Sequence, residues 1–428
     1  MLLDRQIPSL NPRFAIFFAC GVALLLFAIY HITLYTEHGP FYKGNVGSRV
    51  GSHAPASEPK TAVSQPNQPK PKPTLEETIR ELFAPIKHKD FVSSFTDPTG
   101  TVYTHNNNIW TEPLGKDLLI VDVDTRYPEQ MFDPSKRVDW EHLDTDNLVT
   151  EAVFNHYLYA TIHNYSYLFY RPIPVPGHHK TWPKVHSISN LLPQYKFVVF
   201  LDADATIRHL HLPFEWLLNR WNVTRRTSFT MARDPLDDDC NLCDKYGTAM
   251  VNTGFVIAQN LPYTREIMDV WMACTAGGTR YGAECGKWKE EWAHEQSVFS
   301  DYLRYDYNPE GDNIRELNCG EANGFPGHGW YDPVDCNGKF IRHHTFVKDR
   351  TKTTTSEAIM QAFIDIMKTN FAKVGGDIVV SEEKEKKKAT PKPEVKQEED
   401  KEGEKAHEQA HNRRSAIWHE PLKRSEVS

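Results

Sequence analysis

The sequence predicts an α/β domain with a mixed, mostly parallel sheet flanked by helices, behind a single N-terminal transmembrane helix and a disordered stem. Three observations carry this. In the middle of the chain, apolar runs of strand length alternate with helical stretches. Residues 14–35 hold no Asp, Glu, Lys or Arg. Residues 43–72, and those beyond 380, are rich in Pro, Ser, Glu and Lys and have few large apolar side chains to offset chain entropy.

The resulting boundaries are a cytoplasmic tail at 1–13, an anchor at 14–35, a largely disordered stem at 36–113, a catalytic domain at 114–372 and a disordered charged tail at 376–428. The anchor spans about the 20 residues that a hydrocarbon core needs. It is longer than the apolar region of a cleaved signal, and Ile29 to Tyr35 offers no small-residue cleavage pattern. Arg5 and Arg13 before it favour a cytoplasmic N-terminus. The remainder is then expected in the secretory lumen. Six cysteines, Cys240, Cys243, Cys274, Cys285, Cys319 and Cys336, lie outside the anchor, enough for up to three disulfides in an oxidising space. Cys240 and Cys243 could also form half of a zinc site, but no second Cys pair or close His pair completes one. Sequons at Asn164 and Asn222 fit glycosylation. The net charge of −8 provides no basic stripe, so nucleic acid is not an expected partner.

Within the domain, Leu118 to Asp122 is a continuous apolar run closed by a carboxylate, the pattern of a strand buried on both faces. Leu148 to Tyr159 reads as a helix and Tyr165 to Tyr170 as a strand. Thr181 to Leu192 is a helix with Pro183 in its first turn. Phe197 to Leu201 is a third buried strand, and Ser228 to Ala232 a further one. Pro73 to Ile86 predicts a short amphipathic helix at the end of the stem. Ligands of such sheets sit beyond the carboxyl ends of the strands, where Asp122 to Arg126 and Asp202 to Asp204 fall.

Asp202 and Asp204 are the strongest chemical signal. Alternate side chains of an extended backbone share a face, so both carboxylates reach one ligand. Two anions so close repel unless a cation lies between them, and oxygen donors suit Mg²⁺ or Mn²⁺. Such an ion neutralises a diphosphate leaving group. His343 and His344, late in the domain, offer a third ligand. Asn252-Thr253-Gly254 reads as a turn running into a strand, with polar groups toward a sugar pocket. Glu295 and Gln296 open an amphipathic helix and offer hydrogen bonds to sugar hydroxyls. Asp234, before Pro235, reads first as a turn-initiating residue, and is also a catalytic candidate with Glu295 and Gln296.

The order of these motifs, with Phe340-Ile-Arg-His-His344 last, resembles Golgi glycosyltransferases of the GT-A (Rossmann-like) fold. The galactosyl/mannosyltransferase family 34 is nearest, and the nucleotide-diphospho-sugar transferase domain of family 77 is close behind. The similarity covers about Leu118 to Lys348. It implies a type II Golgi membrane enzyme that moves a hexose from a metal-bound UDP- or GDP-sugar to a glycan or glycoprotein acceptor, with retention. It implies Mn²⁺ (or Mg²⁺) on Asp202, Asp204 and His343 or His344. It further implies donor contacts from Asp122, Asp124, Arg126, Asn252, Thr253, Gly254 and Lys348, and a complex with other Golgi transferases. Glu295 stands where those families more often carry Asp. Two alternatives remain open: a HAD-type phosphatase with Asp202 as nucleophile, since Asp202, Asp204 and Thr206 fit its D-x-D-x-T pattern, and an inactive lumenal scaffold.

Overall fold

In a computed structural model of the protein, the described residues are 72–143, 148–236, 239–277, 280–324 and 336–389. The chain divides into two units, 1–70 and 71–428, and all described residues lie in the second. The anchor expected at 14–35 lies outside the described residues, among which no helix is long and apolar enough to cross a membrane.

Six strands form the central sheet: β1 (Leu118–Val123), β2 (Ser166–Tyr170), β3 (Phe197–Leu201), β5 (Phe229–Arg233), β6 (Val251–Gln259) and β7 (Ile314–Leu317). Their order is β2-β1-β3-β6-β5-β7. β1 runs parallel to β2 and β3, and β5 parallel to β7, whereas β6 is antiparallel to both β3 and β5. The sheet is therefore mixed, with parallel pairings in the majority.

The apolar runs make this sheet because both of its faces are covered. Leu118, Ile120, Phe197 and Val199 enter one core, and Leu119, Val121, Val198 and Phe200 enter the other. On the first side lies α2 (Leu148–His163), joined by α1 (Leu75–Phe83) and the long α7 (Arg350–Ile378). Thr351, Thr354, Thr355, Ala358 and Ala362 of α7 are buried at helical spacing. On the second side α3 (Pro183–Leu191) packs against α5 (Pro262–Ala276). Between β3 and β5 comes α4 (Phe214–Arg220). A short ribbon pairs β4 (Ala205–Ile207) antiparallel with β8 (Ile341–His343), setting His343 opposite Ala205.

Three expectations are corrected. The expected stem at 36–113 is folded from residue 72 onward. There α1 starts on a capping box of Thr74 with Glu77, and Phe83, Phe95 and Trp110 are buried in the first core. Those aromatics sit among polar neighbours, so local composition hid their burial. The tail expected from 376 instead begins inside α7, and a helix follows at Glu382–Ala389. Asn252, Thr253 and Gly254 are not a turn but lie within the nine-residue β6.

The six cysteines outside the expected anchor all pair: Cys240 with Cys243, Cys274 with Cys285 and Cys319 with Cys336. Half a zinc site at Cys240 and Cys243 is thereby replaced by a disulfide.

Candidate active site

β3 ends at Leu201 and delivers Asp202 and Asp204 to the cleft. The backbone N–H of Asp202 donates to the Gly254 carbonyl at 2.7 Å, tying this loop to β6. His343 arrives from the other side on β8. Its Nε2 lies 3.2 Å from Asp204 Oδ1 and 3.9 Å from Asp202 Oδ2. One ligand atom each from Asp202, Asp204 and His343 fall within 4.8 Å of one another, the one such group of acidic and imidazole side chains among the described residues. His344 is not part of it. Its ring is buried, with Nε2 at 2.9 Å from Thr354 Oγ1, while its N–H donates to the Asp204 carbonyl. Strand alternation sends these two neighbouring rings to opposite sides.

Two lysines meet the carboxylates. Lys348 Nζ contacts Asp204 Oδ2, and Lys184 Nζ lies 3.1 Å from Asp202 Oδ1 and 3.3 Å from Glu295 Oε1. Burial alone would raise the Asp204 carboxyl, but His343 and Lys348 outweigh it and hold it well below the usual carboxylate range. Burial likewise opposes charge on Lys184, and Asp202 and Glu295 outweigh it, raising its pKa. The His343 ring is raised against its burial by Asp204 and Asp202. Lys184, Lys348 and His343 offset the carboxylate charge in this arrangement, and a metal ion held there would take the place of lysine contacts and of the His343 Nε2 proton. Hard carboxylate oxygens with one imidazole nitrogen suit Mn²⁺ or Mg²⁺.

Gly254 is required by close approach rather than by turn geometry. A Cβ there would fall on the His343 ring and 2.9 Å from Asn252 Oδ1. The β5–β6 register jumps between Met231 and Ala232, whose partners are Val256 and Asn252, so Thr253 and Gly254 are released from pairing with β5. Gly254 N–H instead donates to its neighbour's Asn252 Oδ1 at 2.8 Å.

Asp234 is no simple turn residue. It is buried and accepts from Asn252 Nδ2 at 2.8 Å, Asn323 Nδ2 at 3.0 Å and Gln296 Nε2 at 2.8 Å. Burial pushes its carboxyl up in spite of these donors. Asn323 also places Oδ1 3.2 Å from His343 Nδ1. An N–H on Nδ1 then satisfies Asn323 and leaves Nε2 for the cleft. Glu295 and Gln296 begin α6 (Glu295–Val298). Glu295 accepts from Thr253 Oγ1 at 3.0 Å and from Thr181, and Gln296 Oε1 accepts from the Thr253 N–H at 3.2 Å.

The expected donor residues divide. Asp124, Arg126 and Lys348 line a cavity of about 460 Å³ with Lys180, Lys184, Asp202 and Asp204. Arg126 is fixed by Asp124 at 2.6 Å. Asp122 does not line it. Its Oδ1 lies 2.7 Å from His156 Nδ1 and its Oδ2 accepts from Tyr167 OH at 2.6 Å, so it is turned into the fold. Asn252, Thr253 and Gly254 line a second cavity of about 400 Å³, together with Asp234, Glu295, Gln296 and His343. The two cavities share Thr181, Lys184, Asp202, Asp204 and Lys348. Sequence reasoning missed Lys184, a single lysine on an ordinary helix, and Asn323, which sits in no motif.

Residues 132–308 match the model of the galactosyl transferase GMA12/MNN10 family. The region holds Asp202, Asp204, Asp234, Asn252 and Glu295, while His343 and Lys348 follow it. The match supports a glycosyl transfer function. Among solved structures, the chain is similar to a glycosyltransferase involved in the glycosylation of the major capsid of PBCV-1. Identity is 10%, coverage 56% of this chain and 98% of that one, and the TM-score 0.37. For mouse xyloside xylosyltransferase 1 in its apo form the figures are 10%, 54%, 98% and 0.32. No curated protein matches the chain.

Proposed function

We propose that this chain is a metal-dependent glycosyltransferase that moves a hexose from a nucleotide-diphosphate sugar to a glycan acceptor. The observation that carries the reading is the Asp202, Asp204 and His343 group at the carboxyl end of β3, whose two aspartates lie in the region that matches a sugar-transfer family. These three residues would hold Mn²⁺ or Mg²⁺. The ion, when bound, supplies positive charge to the diphosphate that departs from the sugar.

The protein's own groups do the rest. Lys348, Lys180 and Arg126 line the donor cavity and place further positive charge on the leaving diphosphate. Lys184 fixes Asp202 and Glu295 at one spacing, so the metal end and the sugar end move together. Asp234 and Asn323 orient Gln296 and His343, which makes Asp234 a positioning residue. Retention of the anomeric configuration and the GT-A assignment follow from the resemblance to family 34. The three disulfides support a lumenal catalytic unit, behind a type II anchor at 14–35 in the Golgi membrane.

The test is nucleotide release by the full chain in detergent, across UDP- and GDP-sugars, with and without Mn²⁺. Release of one nucleotide that requires Mn²⁺ supports the reading and names the donor. A folded protein that is silent across the panel, with and without glycan acceptors, sinks it.

A further inference from the structure

The two cavities that meet at the carboxylate group differ in chemistry. The donor side carries Arg126 and Lys180 beyond the shared Lys184 and Lys348. The other side adds no lysine or arginine to that shared pair. Its added walls are carboxamides and buried carboxylates on the inside, and aromatic rings on the rim. Trp292 is 56% exposed and Phe346 51% exposed, and both line this cavity. What distinguishes these two from other exposed aromatic side chains is that they line the cavity beside the carboxylate group. These two are also tied to the chemistry by sequence. Trp292 stands three residues before Glu295, and Phe346 lies between His343 and Lys348. In the lining of the same cavity, the His179 and His294 rings stack at 3.6 Å, and Thr181 links His179 to Glu295.

We infer that Trp292 and Phe346 form the acceptor platform, and that the acceptor is a neutral pyranoside. A pyranose ring has apolar C–H faces and a polar hydroxyl edge. The C–H faces lie on the aromatic rings, and the hydroxyls meet Gln296, Asn252 and Glu295 inside. The cationic groups of this cavity, Lys184, Lys348 and His343, are each engaged already by Asp202, Glu295 or Asp204, and Asp234 and Glu295 add negative charge to its walls, so a uronic acid is disfavoured. The inference rests on the transferase reading for the identity of the site, and names the substrate class of that site.

The experiment uses the full chain in detergent, as wild type, Trp292→Ala and Phe346→Ala. Both side chains are more than half exposed, so truncation leaves no core void, and thermal melting checks each fold. Donor hydrolysis without acceptor is measured first. Transfer to neutral methyl hexopyranosides and to the matching methyl hexuronosides follows. Binding of the same glycosides without donor is read by saturation-transfer NMR. The expected result is donor hydrolysis within about twofold of wild type, acceptor KM raised about tenfold in each variant and neutral glycosides preferred. Donor hydrolysis with unchanged acceptor KM in both variants, or a preference for hexuronosides, overturns the inference and leaves the transferase reading intact. Absence of donor hydrolysis in the wild type defeats that reading instead. In that case glycoside binding lost in Trp292→Ala still supports the platform, and binding unaffected by either variant overturns it.

Discussion

Two buried aspartate–histidine pairs stand at the ends of neighbouring strands. Asp122 with His156 closes β1, and Asp204 with His343 follows β3. The four residues are about equally hidden, none exceeding 4% exposure. They differ in what surrounds the pair. In the first, Tyr167 takes the other Asp122 oxygen, and His156 Nε2 donates to the Ala205 carbonyl at 3.0 Å. Both Asp122 oxygens and both His156 ring nitrogens thus have partners inside the fold. In the second, the remaining Asp204 oxygen meets only Lys348, a residue whose side chain is about half exposed, and the pair opens on both cavities. Burial and pairing do not make a ligand. A lone pair that faces a cavity, held there only by a half-exposed lysine, can do so. The closed pair also supports the open one, because the carbonyl that His156 holds is the residue after Asp204. Along α2 the same face continues this clamp: Asn155 bonds both polar groups of the Ile207 backbone, Tyr159 the Leu212 carbonyl and His163 the Leu210 carbonyl.

The comparison breaks most sharply on the open pair. Asp204→Asn is expected to lower Mn²⁺-dependent nucleotide release about 1000-fold in the molecules that remain folded, because the lost charge acts on the leaving group, and to lower the melting temperature as well, because His343 and Lys348 lose the carboxylate they face. Steady-state release and a thermal melt check it together. The closed pair predicts a loss of stability without the loss of metal binding. Asp122→Ala leaves His156 and Tyr167 unpartnered in the interior and is expected to cost about 3–5 kcal/mol of stability. Urea unfolding measures this, and the molecules that remain folded should keep Mn²⁺ affinity within about tenfold.

Gly254→Ala tests whether close approach, rather than backbone flexibility, explains that glycine. The added Cβ pushes the His343 ring off its place, so Mn²⁺ affinity is expected to fall about 10–100-fold. Calorimetric titration reads it. The smallest effect concerns a histidine outside both pairs. His209 lies among Phe95, Trp216 and Phe340, where burial, with Arg208 nearby, lowers its pKa to about 3. It is neutral when folded, and the unfolded chain takes up its proton from about pH 6.5 downward. Stability conferred by the neutral ring is therefore complete above about pH 6.5 and is lost as pH falls toward 3, with a slope of up to about 1.4 kcal/mol per pH unit. His209→Phe should flatten that slope in urea melts collected across this range.

Much of this was legible before any coordinates. Phe197–Leu201 and Leu118–Val123 are apolar runs because both faces of their strands are covered, and that signal is local. Asp202 and Asp204 were legible for the same reason, as carboxylates at the end of such a run. His343 was found only with His344 beside it, because alternation decides between them once β8 pairs with β4. Asp122 misled, since a carboxylate closing a strand reads the same whether it faces a cavity or a helix. Only His156, 34 residues away, settles which. Lys184 and Asn323 carry no local pattern at all. Their roles arise from packing across 18 residues to Asp202 and 20 residues to His343. The folded segment before residue 114 was hidden because its aromatics are few and widely spaced, and become core only against Trp216 and Phe340.

The most direct test of the distinction between the two pairs is a calorimetric Mn²⁺ titration of the full chain as wild type, Asp204→Asn and Asp122→Asn, at one pH and one salt concentration. The geometry predicts one site in the wild type, retained in the folded fraction of Asp122→Asn and lost in Asp204→Asn. Binding that survives Asp204→Asn unchanged, or that disappears equally in both variants while they remain folded, would contradict it.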